Sequence, residues 1–208
     1  MTLQLPSHDV PMYKYGQKYR MARTMKEARC FSLRNGGLCS MVQFAMELMS
    51  QLEKHGYRGR IVSVQHLLAL KEGIGELYEQ GLLDKEFYQE RLTHFVFLVP
   101  SSLQEAKSLI VVAVPRPQSQ AVFTWNGESR ALILPPTYVA YEETRKQTED
   151  LLATLLGIKG YREARASLPL KLLAVQSGLG SYGRNNVCYV SGMGSFLQLV
   201  GVYSDLPC

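Results

Sequence analysis

Residues 178–186 read Gly-Leu-Gly-Ser-Tyr-Gly-Arg-Asn-Asn, which places three glycines at the G-x-G-x-x-G spacing of a dinucleotide-binding turn. Glycine lets backbone amides approach a ligand closely. Arg184, Asn185 and Asn186 add side-chain donors, so the segment could cradle an anion or an amide-rich cofactor. A dinucleotide fingerprint needs a strand before the glycines and a helix after them, so that the helix N-terminus meets the pyrophosphate. Here the order is reversed: 168–177 has helical apolar spacing, and 186–190 reads as a strand. A second flexible turn, Gly192-Met-Gly194-Ser195, follows and would lie close by if its flanking strands pair. An equally available reading makes the glycines a tight helix-to-strand connection and nothing more.

No nucleophile–base or metal constellation stands beside this loop. His8, His55, His66 and His94 are scattered and read as surface or satisfied histidines. Cys30, Cys39, Cys188 and Cys208 form no C-x-x-C pair, so iron–sulfur and structural zinc spacing are lacking and free thiols are expected, Cys188 in the core. Glu142-Glu143 and Glu149-Asp150 read as the solvated face of one helix, and Trp125 and the tyrosines as core rather than pocket lining.

The elements that must hold the loop follow from periodicity. Met41, Phe44, Ala45, Leu48, Met49 and Leu52 predict a helix over 40–55, stopped by Gly56. A short strand over 60–64 and helical stretches over 64–80 and 84–92 come next, with Asp84 as N-cap. Strands are expected at 95–99 and 108–114, the second a continuous apolar run suited to burial on both faces. Segments 122–125 and 131–134 flank Asn126-Gly127 as a hairpin with a loop longer than two residues. A helix over 138–156, a further helix before the glycine loop, and strands near 186–191 and 196–203 complete an α/β (α+β) chain with one mostly antiparallel or mixed sheet flanked by helices.

At 208 residues with 46% hydrophobic content, the chain is one generous domain or a domain with an extension. No apolar run is long enough to cross a bilayer, and the first thirty positions lack a signal-peptide layout, so the cytoplasm is the default location. The net charge of +5 is uneven: residues 1–60 carry ten Lys/Arg against four Asp/Glu. Residues 1–37 therefore read as a basic extension and 38–208 as the folded domain. The extension is a solvated arm or one that touches RNA phosphates or an anionic ligand.

Residues 168–208 resemble the end of the cobalamin-binding domain of the epoxyqueuosine reductase family. The matching residues are Ala174, Ser177-Gly178-Leu179-Gly180, Gly183-Arg184-Asn185, Gly194-Ser195-Phe196 and Ser204-Asp205-Leu206-Pro207; 108–117 is similar to a strand leading to the corrinoid pocket. The likeness spans about 60–208 and is specific over its last forty residues. It implies a nitroreductase-like domain, akin to that of reductive dehalogenases, that binds cobalamin through Gly178, Leu179, Gly180, Tyr182, Gly183, Arg184, Asn185, Asn186, Gly194, Ser195 and Phe196. The 4Fe-4S clusters of the family would belong to a missing downstream domain starting just after Cys208, and tRNA is an implied partner. Two departures are visible. Ala164-Arg-Ala-Ser-Leu-Pro169 lacks the carboxylate thought to donate a proton in the family, and Tyr138-Val-Ala-Tyr141 stands where an arginine-aspartate-tyrosine segment is expected. FMN, which nitroreductase-like folds also hold, is the alternative cofactor, and a non-enzymatic docking module is the third expectation.

Overall fold

The computed structural model describes residues 36–208, with side chains described from residue 41 onward. The basic arm falls outside the described residues. Helix α1 (Gly36–Lys54) starts earlier than its periodicity suggests and buries Phe44, Leu48 and Leu52, spaced by four along one face. It ends at Gly56, whose φ of 76° is left-handed. Strand β1 (Arg58–Ser63) follows, then α2 (His66–Glu79), which buries Leu67, Leu70 and Ile74. Gly81 turns the chain, and Asp84 caps the short turn α3 (Lys85–Phe87) by accepting the Phe87 N–H at 2.8 Å. That turn runs on as a π-helical turn over Tyr88–Leu92.

Strand β2 (Ser108–Pro115) is buried at every position but Pro115, as its unbroken apolar run predicts. Strands β3 (Ser119–Trp125) and β4 (Glu128–Leu134) form a hairpin. Its loop is the two-residue Asn126-Gly127, not a longer one, because Trp125 and Glu128 already pair across the ladder. Positive φ at both loop residues is the geometry a right-twisted hairpin requires. Helix α4 (Tyr141–Gly157), strand β5 (Glu163–Arg165) and α5 (Leu170–Gln176) lead to the short pair β6 (Ser181–Tyr182) and β7 (Cys188–Tyr189), and the last strand is β8 (Leu197–Ser204).

The main sheet has the order β1-β2-β8-β5 with antiparallel pairing throughout, which resolves the expected mixed or antiparallel sheet as antiparallel. Alternate residues of β2 serve opposite layers. Ile110, Val112 and Val114 pack with Phe44, Leu48 and Leu52 of α1 and Leu152 and Leu156 of α4. Leu109, Val111 and Ala113 pack with Leu173 and Ala174 of α5 and with Leu179, Cys188 and Val190 beyond it. The result is an α+β sandwich of a sheet between helical layers. No helix of the described residues is long and apolar enough to cross a membrane.

Two expected strands change. Residues 95–99 form no ladder; Phe97 and Val99 pack on the core while the Leu98 carbonyl accepts the Tyr203 hydroxyl at 3.3 Å. Their apolar alternation encodes side-chain burial, not a backbone partner. The strand expected at 186–191 shrinks to β7, which pairs with β6 and not with β8, so the turn at 192–195 does not join a hairpin of those two strands. Trp125, expected in the core, lies on the exposed hairpin.

The matched Ser204-Asp205 segment ties the sheet edge together. Ser204 Oγ donates to the Arg162 carbonyl at 2.9 Å, and the Asp205 carboxylate accepts the Arg162 N–H at 2.8 Å. Next to that tie, burial and then the Glu149 and Asp150 carboxylates push the Glu163 carboxyl above its ordinary value. A carboxyl raised by folding supports the folded state fully below its unfolded pKa, and that support is lost as pH rises through the folded pKa. Glu163→Gln is therefore expected to unfold at a higher urea concentration than wild type near neutrality, with the gain fading below about pH 4. Urea midpoints measured from pH 3 to 8 check this; a variant weaker at pH 7 than at pH 4, relative to wild type, contradicts it.

Candidate functional site

The glycine segment begins as the end of α5. Gly178, at φ 72°, closes the helix by donating to the Val175 carbonyl at 3.1 Å, while the Leu179 and Gly180 amides both donate to Ala174, at 2.9 and 3.1 Å. The Ser177 hydroxyl also donates to Ala174, at 3.0 Å. Leu179 is buried in the core. A Cβ on Gly180 would lie 2.8 Å from Cys188 Sγ and 2.8 Å from the Tyr189 carbonyl oxygen, so glycine is required for the helix end to meet β7.

Gly183 starts the tip of the β6–β7 hairpin. Its N–H donates to Val187 at 2.9 Å, its carbonyl accepts the Asn186 N–H at 3.1 Å, and the Tyr189 ring lies where a Cβ would go, 2.5 Å from Cε2. Asn186 takes a positive φ of 57°, which asparagine tolerates, and Asn185 Oδ1 accepts the Val187 N–H at 3.3 Å. The three glycines of the motif thus spend their amides inside the protein. What remains outward is a rim: the exposed side chains of Arg184, Asn185 and Asn186 and the partly exposed rings of Tyr182 and Tyr189.

The second turn is built differently. Val190 and Gly194 exchange both backbone hydrogen bonds at 3.0 Å, and Gly192 and Gly194 have φ of 78° and 71°. No atom lies within 4 Å of a Cβ built on Gly194, and on Gly192 it would meet only Arg58 Nη2, at 4.0 Å. This backbone is open. Ser195 and Phe196 are half-buried, and the Phe196 carbonyl accepts the Arg116 N–H at 2.8 Å. All eleven residues expected at the site thus occupy one continuous stretch, divided between an inner packed part and an outer rim.

Titration in the stretch favours neutral groups. Burial, then the neighbouring Cys188, pushes Tyr182 up to about 12, so its phenol is a hydrogen-bond donor at physiological pH. Burial pushes the Cys188 thiol up, against a smaller downward pull from Lys171, which leaves it protonated and a poor nucleophile. Among the described residues no three His, Cys, Asp or Glu side chains gather to hold a metal ion. Two clefts among the described residues, about 230 and 260 Å³, lie elsewhere, one against Tyr161 and Glu163 and the other against Lys107 and Pro207. Both are below the roughly 300–1,000 Å³ of small-molecule pockets.

Sequence reasoning passed over Arg116 and Gln198. Arg116 donates to Thr144 Oγ1 and to the Val139 carbonyl at 2.9 Å, and Gln198 Nε2 donates to the Tyr141 carbonyl at 2.9 Å. Together they fasten the start of α4 to the end of the sheet where β2 leaves and β8 enters. The signal available was an arginine between two prolines at the end of an apolar strand, and a lone glutamine inside another.

Comparison with protein-family models and with curated proteins finds no match. Among solved structures, a selenomethionine-labelled epoxyqueuosine reductase is similar with a TM-score of 0.57 and 17% identity, over 80% of this chain and 47% of that one. An epoxyqueuosine reductase from Bacillus subtilis gives a TM-score of 0.56 at 19% identity, over 81% and 46%. An epoxyqueuosine reductase in complex with an epoxyqueuosine-modified tRNA stem loop gives 0.56 at 18% identity, over 80% and 46%. The fold is epoxyqueuosine reductase-like, and the chain spans about half the length of the solved structures it matches.

The contrast between packed and open glycines is measurable. Gly180→Ala is expected to cost about 1–3 kcal/mol, because the new methyl collides with a backbone oxygen. Gly194→Ala has room and bears only the left-handed backbone, about 1 kcal/mol. Urea denaturation of both variants checks the ranking, which equal losses contradict.

Proposed function

We propose that this domain, with its epoxyqueuosine reductase-like fold, is the corrinoid-binding part of an iron–sulfur-dependent reductase acting in the cytoplasm. The observation that carries the reading is the exposed rim. Arg184, Asn185 and Asn186 stand at one hairpin tip, and an open glycine backbone at 192–194 follows two residues after that hairpin. This donor set is neutral apart from one guanidinium, and it is broad and rich in amides. It fits a large ligand fringed with carboxamides better than a pyrophosphate, whose backbone cradle would need the amides that Gly180 and Gly183 already use.

On this reading Asn185, Asn186 and the protonated Tyr182 phenol hydrogen-bond the ligand's peripheral amides, and Arg184 binds an acceptor oxygen. The open turn at Gly192–Gly194 and the half-buried Phe196 let the flat ligand approach the backbone. A bound corrinoid supplies cobalt redox chemistry; the protein supplies placement and shielding from water. Electrons come from 4Fe-4S clusters of a separate domain, since the cysteines here lack the spacing for them.

The substrate differs from epoxyqueuosine in this proposal, because Ala164–Pro169 offers no carboxylate to donate a proton. A tRNA partner is supported by the stem loop bound to one similar structure and by the basic residues between Lys14 and Arg34.

Anaerobic titration with cob(II)alamin tests the reading. The expected result is a saturable change in the cobalt absorption spectrum at micromolar ligand. Replacing Arg184 or Asn185 by alanine is expected to weaken it by about 10-fold with the fold intact. An unchanged spectrum at high micromolar ligand contradicts the proposal, and bound flavin in the purified protein would favour FMN instead.

A further inference from the structure

The β3–β4 hairpin is a two-stranded sheet of its own, separate from the main sheet. It exposes large apolar side chains: Val122 is 68% exposed, Trp125 62%, Leu132 56%, Ile133 55% and Phe123 45%. The register puts Phe123 and Trp125 on one face with Arg130, Glu128 and Leu132, and Val122 on the other with Ala131 and Ile133. Apolar groups therefore project from both faces and stay largely exposed. A lone two-stranded hairpin is marginally stable in water, and three or more strands are normally needed.

The two outer edges are not alike. Proteins guard exposed edge strands with charges or proline. Strand β4 carries Glu128 and Arg130, which pair with each other at 2.7 Å. Strand β3, Ser-Gln-Ala-Val-Phe-Thr-Trp, has neither a charge nor a proline. Its edge is an unguarded template for another strand. The hairpin's charges cancel, so it offers nothing to attract a phosphate backbone or an anionic membrane.

We propose that β3 pairs antiparallel with β3 of a second copy of this chain about a two-fold axis at Val122, giving a four-stranded sheet with β4 strands outermost. The sequence of β3 is complementary to its own reverse. With Val122 at the axis, Ala121 faces the partner subunit's Phe123, and Ser119 faces the partner subunit's Trp125. Each large ring then meets a small residue, and the dyad itself carries a β-branched pair. Val122, Phe123 and Trp125 lie on the pairing strand, so their exposed side chains gain cover across the seam, while Leu132 and Ile133 stay on the outer strands. A two-fold contact is also closed, so pairing ends at the dimer. This inference does not depend on the corrinoid.

Sedimentation of the 208-residue chain over about 1–200 µM tests it, with Trp125, its single tryptophan, as an internal reporter. Wild type is expected to double in mass as concentration rises, with Trp125 emission moving to shorter wavelength. Val122→Glu and Val122→Lys each put like charges across the axis and are expected to weaken dimerisation by at least ~10-fold. An equimolar mixture of the two variants should restore the dimer, which separates strand pairing from misfolding. Three results would overturn the proposal: a wild-type monomer across the whole range, a dimer that persists in both variants, or a monomer whose Trp125 emission is already that of a buried ring.

Discussion

The antiparallel ladder between Ser108–Pro115 and Leu197–Ser204 sets the position of everything else. Its eight pairs place Pro115 beside Leu197 and Ser108 beside Ser204. Both strands are buried on both faces, so a slip of one residue would exchange the side chains that meet α1 and α4 for those that meet α5. With the register locked, the exit of β2 is held against the entry of β8. Arg116 therefore reaches both the Phe196 carbonyl and the start of α4, and the turn at 190–194 stands at the same end of the sheet. The opposite end is closed by Ser204 and Asp205, which bind Arg162 at the start of the β5 edge.

The glycine loop is a helix terminus and the base of a hairpin. Gly178 ends α5, Gly180 admits β7, and Gly183 admits the Tyr189 ring; the backbone donors of all three are consumed. That packing turns Arg184, Asn185 and Asn186 outward and fixes the hairpin carrying them. A motif that resembles a ligand cradle thus builds the rigid base beneath a rim, which is how a site gains precise placement from secondary structure.

Much of this was visible in the residues. The apolar run Leu109–Val114 could only be a strand covered on both sides, and α1 followed from the four-residue spacing of Phe44, Leu48 and Leu52. Asn126-Gly127 marked its hairpin, but the loop length was misjudged because Ser129 and Glu128 are polar yet belong to the ladder. Phe95–Val99 misled because alternation reports which side chains are buried, not whether a neighbouring backbone is free to pair. Strand β5, Glu-Ala-Arg, has no strand-forming residue and exists because the edge of β8 was open to it. At the site, the spacing of the glycines was readable but not what fills the space beside each, since that depends on Cys188 and Tyr189 arriving from the next strand. Arg116 and Gln198 were missed for the same reason: their partners lie on α4 and just before it, far along the chain.

Amide hydrogen exchange with and without cob(II)alamin tests most directly whether the loop is a packed base carrying an open rim. The account predicts that the amides of Leu179, Gly180 and Gly183 are protected in the free protein and unchanged by the ligand, while those of Arg184, Asn185, Gly192 and Ser195 gain protection on binding. Fast exchange at Gly180 and Gly183 in the free protein, slowed only when the corrinoid is added, would contradict it and make the glycines themselves the cradle.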